Sequence, residues 1–424
     1  MRIHLYSVGT RGDIEPFLTL AELLAKRGHE ILCVFPEQFR ELTESLGHRF
    51  EGFPEEFLEM IQSSEGKQLM GGEGNRIKRI GSVIGMAKKG ISVQREIINI
   101  QHRLLTTENP DLALSHPKAL FTSIWGMANP GKSMMVSPLP LIAHPVDHQT
   151  TIGIGGSGNF GTTINRSSFW LVNTIRSTVI RKFAKHTFAD FPGVRYSARR
   201  IYRFLIKQEK ALYLISPTLF PRPDYWPENV NVAGYFERDK TIDWQPDANL
   251  TAFLDRFNND KVLFISFGSM VNNNPEQKTE AVVQALSKHK IPTIINTSWG
   301  GLRRPESFPD HLHFAENLPY DWIFPRVHAV IHHGGSGTTH TALKYGCASM
   351  AVPHIVDQFY WNKVIAEKGA GPLGMPIKKL DAKRFEAKVL DLMTNSSYKK
   401  RAEELGASIR SESDADRLYD LICG

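Results

Sequence analysis

Cysteine is scarce in this chain: Cys33, Cys347 and Cys423 are the only three among 424 residues, far apart and without a C-x-x-C pair. That spacing excludes a disulfide framework and suits a reducing cytoplasm. Long apolar runs are missing too, none approaching the roughly 18 residues needed to span a bilayer. The opening MRIHLYSVG reads as a strand, because it lacks the apolar core and cleavage site of a signal peptide. The expectation is a cytoplasmic protein that is not integral to a membrane. A dinucleotide fingerprint is also absent. The first strand leads into G-T-R-G-D-I-E-P instead of G-x-G-x-x-G, and the second ends Cys33-Val34-Phe35-Pro36 without an acid. Both requirements of a nicotinamide-dependent oxidoreductase are therefore lost. No D-x-D stands at the end of a buried strand; Asp414-Ala415-Asp416 falls in a polar C-terminal helix.

What remains is ordinary for a globular chain, with 41% apolar and 22% charged residues and length enough for two domains. RIHLYSVGTRGDIEPFLTLAELLAKRGHEILCVFP reads as strand, glycine loop, helix and strand, with Phe17, Leu20, Ala21 and Leu24 on one apolar helix face. KVLFISFGSMVNNNPEQKTEAVVQALSKHKIPTIINTS repeats that order in the second half. Both imply right-handed βαβ units and doubly wound α/β sheets. The proline-rich stretch 216–236 is the linker expected between the halves.

The net charge of +7 is unevenly placed. Residues 166–210 hold eleven Lys/Arg against Asp190 and Glu209. Interleaved with Phe169, Trp170, Phe183 and Tyr202, this stretch reads either as a peripheral contact for anionic membrane or as a solvated basic helix face. Nucleic acid is not an expected partner.

The most informative stretch is AVIHHGGSGTTHTAL, a buried strand, a glycine turn and a helix start. A helix that opens after glycines offers unpaired N–H groups and the positive end of its dipole to an anion. Gly334, Gly335 and Gly337 allow the close approach of a diphosphate, and His333 adds an imidazole donor at the mouth of the turn. Past the next strand, SMAVPHI, stands Asp357-Gln358, a carboxylate and an amide suited to reading sugar hydroxyls. Together they point to a nucleotide-activated sugar.

His333, Gly335, Gly337, Thr338, Asp357 and Gln358 resemble the donor signature of the inverting UDP-glycosyltransferase family. Its members include the UDP-glucuronosyltransferases and the natural-product glycosyltransferases of plants and bacteria. NLPYDWIFP, HHGGSGTT and DQFYWNKV look most like the sterol glucosyltransferase branch, and the likeness is weakest over residues 50–230. The resemblance implies a GT-B fold, two Rossmann-like domains facing across a cleft. Residues 1–215 would bind the acceptor and 237–401 the nucleotide sugar, with 402–424 packing back on the first domain. It implies a metal-independent transfer of a hexose, glucose in the first instance, from a UDP-sugar co-substrate, with no cofactor. The acceptor would be a hydroxyl of a lipophilic sterol, terpenoid or polyketide. A TDP-deoxysugar transferase, a nucleotide-sugar epimerase and a non-catalytic sugar-nucleotide-binding partner protein remain as alternatives.

Relatives commonly carry a histidine in a G-H-x-x-P loop after the first strand. Aligned on Gly12 and Pro16, this chain has Asp13 there, the expected general base, although Asp13 also fits a helix cap or a partner of Arg11. Burial would raise its pKa and Arg11 would lower it. Arg11, Gly12, Gly268, Ser269, Pro319, Ser336 and Gly337 complete the expected donor contacts. The tryptophan on which plant members stack uracil is replaced by Asn317, so either another face stacks the base, Trp322 being a candidate that fits the core equally, or recognition rests on backbone contacts. The acceptor pocket is expected from residues 55–105 and 138–175; Met60, Met70 and Met86 fit a lipophilic acceptor or a helix core, and His144, Asp147 and His148 fit the pocket lining or an ordinary polar loop.

Overall fold

The computed structural model of the chain describes residues 1–56, 76–151, 158–240, 244–268, 270, 272, 274–298, 301–355 and 357–424, with the backbone alone for 76–89. Ser269, Met60, Met70 and the Met86 side chain lie outside the described residues. Two compact units emerge. The first comprises Met1–Ile215, Phe220–Arg238 and Asp414–Gly424, the second Ser216–Leu219 and Asp239–Ser413.

The first unit holds a parallel sheet ordered β3-β2-β1-β4-β5-β6-β7. Its strands are β1 (Arg2–Tyr6), β2 (Glu30–Pro36), β3 (Arg49–Phe53), β4 (Leu112–Ser115), β5 (Ser133–Ser137), β6 (Lys210–Tyr213) and β7 (Val230–Val232). The second unit orders its strands β10-β9-β8-β11-β12, all parallel. They are β8 (Leu263–Ser266), β9 (Thr293–Asn296), β10 (Leu312–Ala315), β11 (Ala329–His332) and β12 (Ala348–Ala351). Strands such as Leu263–Ser266 and Ala329–His332 are buried at every position, as strands covered by helices on both faces must be. Strand order reverses between β1 and β4 in the first sheet and between β8 and β11 in the second. Beyond the carboxyl ends of such neighbours the connections diverge to opposite faces and leave a crevice. Each unit therefore has its own switch point.

Helix Arg11–Lys26 follows β1 and buries Ile14, Phe17, Leu18, Leu20, Ala21 and Leu24, the apolar face legible in the sequence. Two boundaries differ from expectation. The stretch 216–236 is no free linker, since Val230 and Val232 are buried in β7 and Phe220 and Trp226 are core residues. The Trp226 indole donates to Pro145 O at 2.7 Å. Its prolines break helices, but its aromatic and β-branched residues still join the core. At the other end, only Asp414–Gly424 counts with the first unit, while helix Ser396–Ser411 stays with the second. Helix Ala415–Cys423 buries Leu418 and Ile422 in the core around β1 and β2. Asp414 caps it, accepting from the Asp416 and Arg417 N–H groups at 3.0 Å. Glu412, just before that crossing, accepts from Ser216 Oγ at 2.5 Å and Thr218 N at 2.9 Å, pinning the short strap of the second unit.

Candidate active site

In the first unit the switch point brings together the loop after β1 and the loop after β4. Asp13 is 7% exposed. Its Oδ2 accepts from Thr10 N at 2.9 Å, which caps the helix, and Ser7 Oγ donates to its carbonyl at 2.8 Å. Gly9 makes room for this: a Cβ there would lie 2.0 Å from Asp13 Oδ2. Asp13 Oδ1 faces the other loop, accepting from Lys118 Nζ at 3.0 Å. His116 Nε2 stands 3.2 Å away, a polar contact off the line of a good hydrogen bond. His116 Nδ1 accepts from Lys118 N at 3.2 Å, so the neutral ring carries its proton on Nε2, toward the carboxylate. Arg176, half-buried, donates to Pro117 O at 2.9 Å and braces the same loop from behind.

Burial alone would raise the Asp13 pKa. Lys118 and His116 together overcome it and hold the carboxyl well below the usual carboxylate range. Burial also lowers the His116 pKa, against the pull of Asp13. Arg11, the partner weighed in the sequence, instead donates to Glu15 at 2.8 Å, and Glu15 also receives the nearly buried Arg238 at 3.0 Å. A Cβ on Gly12 would meet no atom closer than 3.9 Å, so packing alone does not require glycine there.

This geometry sets a pH expectation. Lys118→Met removes the strongest opposing charge, so the Asp13 pKa rises and the acid limb of kcat/KM moves to higher pH, whereas Lys118→Arg keeps it low. An acid limb unmoved in Lys118→Met would show that Asp13 ionisation does not govern turnover.

In the second unit β11 runs into His333, Gly334 (φ +89°) and helix Ser336–Lys344, with Gly335 as its N-cap. The His333 ring lies between two glycines. A Cβ on Gly268 would stand 2.9 Å from its Cε1, and one on Gly335 only 2.4 Å from its Nε2. Gly268 follows β8, so the ring sits at this sheet's switch point. His333 Nδ1 is buried without a partner among the described residues, and burial lowers the pKa to about 4. The ring is thus a neutral donor near pH 7. Ser336, Gly337 and Thr338 form the first turn of the helix, whose opening N–H groups have no intrahelical acceptor. His340, deeper in that helix, donates from Nδ1 to Ser336 O at 2.7 Å and accepts from Ser216 N at 3.1 Å, a structural role.

Asp357 occupies the N-cap position of helix Gln358–Glu367. Gln358 is not an open amide: its Oε1 accepts from His354 N at 2.7 Å and Ile355 N at 3.1 Å, and Nε2 contacts Met270 Sδ at 3.3 Å. Its carboxamide oxygen therefore shapes the loop instead of standing ready for hydroxyls. Trp322 is likewise taken up. Arg326 covers its ring at 4.1 Å and Trp244 meets it edge-on at 4.8 Å, a packing that accounts for the indole without a base. Pro319 precedes the short helix Tyr320–Ile323. Tyr320 Oη donates to Ser266 Oγ at 3.1 Å, tying that helix to the end of β8.

The acceptor trio needs correction. His144 is fully buried with Nδ1 2.9 Å from Tyr213 Oη, and burial lowers its pKa to about 3. Asp147 pairs with Arg166, whose Nη2 lies 3.0 Å from Oδ2. Only His148 is exposed. The segment PLPLIAH instead turns inward, setting the His144 ring against Tyr213 and Trp226. Among the described residues no group of three or more His, Cys, Asp or Glu side chains could hold a metal ion. His116 and Lys118 were missed in the sequence; the signal was SHPK directly after the apolar run LAL, at a strand end neighbouring β1.

Residues 3–101 match the glycosyltransferase family 28 N-terminal domain, and residues 282–417 match the erythromycin biosynthesis protein CIII-like C-terminal domain. The chain is 28% identical to a sterol 3-beta-glucosyltransferase of Arabidopsis thaliana, over 97% of this chain and 63% of that protein. It is 27% identical to one of Saccharomyces cerevisiae (strain YJM789), over 96% of this chain and 34% of that protein. The chain thus spans less than two thirds of the first relative and about a third of the second. The solved glycotransferase of kitacinnamycin matches with a TM-score of 0.70 at 17% identity, covering 99% of this chain and 98% of that one. The spinosyn rhamnosyltransferase complexed with thymidine diphosphate matches at 0.63 and 17%, covering 97% and 96%. The likeness in structure is one of fold.

Proposed function

We propose that this chain, a member of the GT-B glycosyltransferases with a family 28 N-terminal domain, moves a sugar from a UDP-sugar to a hydroxyl of a lipophilic small molecule. Glucose is the expected sugar and a sterol the first acceptor class, because the curated relatives are sterol 3-beta-glucosyltransferases. The observation that carries the reading is His333. Its ring is walled by Gly268 and Gly335, with an orphaned nitrogen at the start of a helix. A buried nitrogen left without a partner costs free energy, and a diphosphate oxygen supplies that partner. The helix N-terminus adds N–H groups and a positive dipole end for the charge that grows on the departing UDP. Asp13 acts as the base that takes the acceptor's proton as its oxygen attacks C1. The attack comes from the face opposite the leaving group, so configuration inverts. Lys118 and His116 keep the carboxylate ionised. His116 does not take the proton onward, because its Nε2 already carries one. The same reading places the protein in the cytoplasm, in peripheral contact with an anionic membrane from which the acceptor is drawn.

A thymidine diphosphate sugar is the second reading. It is favoured by the packing of Trp322 against Arg326 and Trp244 and by a fold neighbour complexed with thymidine diphosphate. Incubation with UDP-glucose or TDP-glucose and a panel of lipophilic alcohols, followed by mass spectrometry, separates the two. The expected product is a sterol glucoside from UDP-glucose alone. A glycoside formed only from the thymidine donor reverses the assignment. Neither glycoside nor donor hydrolysis would leave a sugar-nucleotide binder.

A further inference from the structure

Nine large apolar side chains are exposed among the described residues, and five of them fall between residues 160 and 175: Phe160, Ile164, Trp170, Leu171 and Ile175, each 45–58% exposed. Four of these lie on helix Thr162–Ala184. At 3.6 residues per turn, Ile164, Leu171 and Ile175 (i, i+7, i+11) form one line along the helix. The opposite face is buried through Phe169, Asn173, Ser177, Ile180 and Ala184. It is also tied down, since Asn173 Nδ2 donates to Ala143 O at 2.8 Å and Arg176 to Pro117 O at 2.9 Å. The apolar line is therefore fixed outward by the helix's inner bonds. Lys182 continues the same line toward the C-terminus, and Arg181 lies in line with Trp170. Arg181, Lys182 and Lys185 are exposed and make no ion pair with the described residues. Beyond them, Arg195, Arg199 and Arg200 are exposed as well.

An apolar line that leads into unpaired cations, with aromatic residues beside it, has the chemistry of an interfacial helix on an anionic bilayer. We propose that the outward face of helix Thr162–Ala184 is the membrane-docking surface. Ile164, Leu171 and Ile175 would enter the headgroup boundary, with Arg181, Lys182 and Lys185 set on lipid phosphates and carboxylates. Opposite charge selects this occupant over a second copy of the chain, which would place like charges together. The proposal names the surface for the peripheral contact stated above, but binding needs neither donor nor acceptor.

The test is co-sedimentation of the full chain with vesicles of phosphatidylcholine, alone or with phosphatidylserine, without any sugar nucleotide or sterol. Binding is expected only with phosphatidylserine and should fade as salt rises. Leu171→Glu/Ile175→Glu should lower the partition coefficient at least tenfold. Lys182→Gln, a gentler change, should lower it roughly fivefold, the worth of one lysine at such a surface. Leu373→Glu, equally exposed in the second unit, should change nothing. Thermal melts identify any variant that fails to fold, and Lys182→Gln then carries the test. No binding by the parent chain, or unchanged binding by both helix variants, overturns the proposal. Loss of turnover with a detergent-dispersed acceptor and undiminished vesicle binding would assign the line to the acceptor instead. Self-association abolished by Leu171→Glu/Ile175→Glu without vesicle binding would assign it to a second copy.

Discussion

Asp13→Asn is expected to cut the turnover number for glycosyl transfer by about 10²–10⁴-fold, the usual worth of a positioned base, while UDP affinity stays near its original value. Asparagine is close in shape and still offers an oxygen to Thr10 N, so the helix cap survives. What disappears is the charge able to accept a proton. The depressed Asp13 pKa makes the carboxylate a weak base, yet it guarantees the ionised form throughout the neutral range. An acceptor hydroxyl can still pass its proton late, as its oxygen bonds to C1 and its own acidity rises. Steady-state rates together with calorimetric UDP titration decide the matter. Transfer at the original rate would move the base to another residue.

His333→Ala should weaken UDP binding by about 10–150-fold, the equivalent of losing a hydrogen bond of about 1.5–3 kcal/mol to a charged group. The ring is neutral above its pKa of about 4, so its contribution is that of a directed donor and not of a cation. UDP affinity of the parent protein should therefore show no step from this residue between pH 5.5 and pH 8, roughly. A step lost in His333→Ala would mean that the ring binds diphosphate in its protonated form. Affinity unchanged by the substitution would remove His333 from the phosphate site.

Much of this was legible in the chain because it rests on local rules. The apolar runs RIHLY, VLFIS and AVIH must be strands, since buried parallel strands need no alternation. Glycines around His333 announced a close backbone approach, and the ring held between Gly268 and Gly335 gives the reason for both. What escaped was everything fixed by partners distant in sequence. Asp13 and Lys118 are 105 positions apart, and their pairing follows from β1 lying beside β4 in the sheet. Local reading could only offer Arg11. His144 stood as a candidate for the pocket, and only the sheet brings Tyr213 against its ring. Gln358 and Trp322 were judged by chemical type, whereas their neighbours had already engaged them.

The eleven residues Asp414–Gly424 are sequence neighbours of the second unit but companions of the first. Chimeras that exchange the two units between relatives should therefore not be spliced at one joint. A transplanted front half has to arrive with its own last helix, or Leu418 and Ile422 of the recipient will meet a foreign groove. Each ill-fitting anchor of that kind costs about 2–5 kcal/mol when its contacts are lost, enough to make a hybrid with two sound halves fail as a protein.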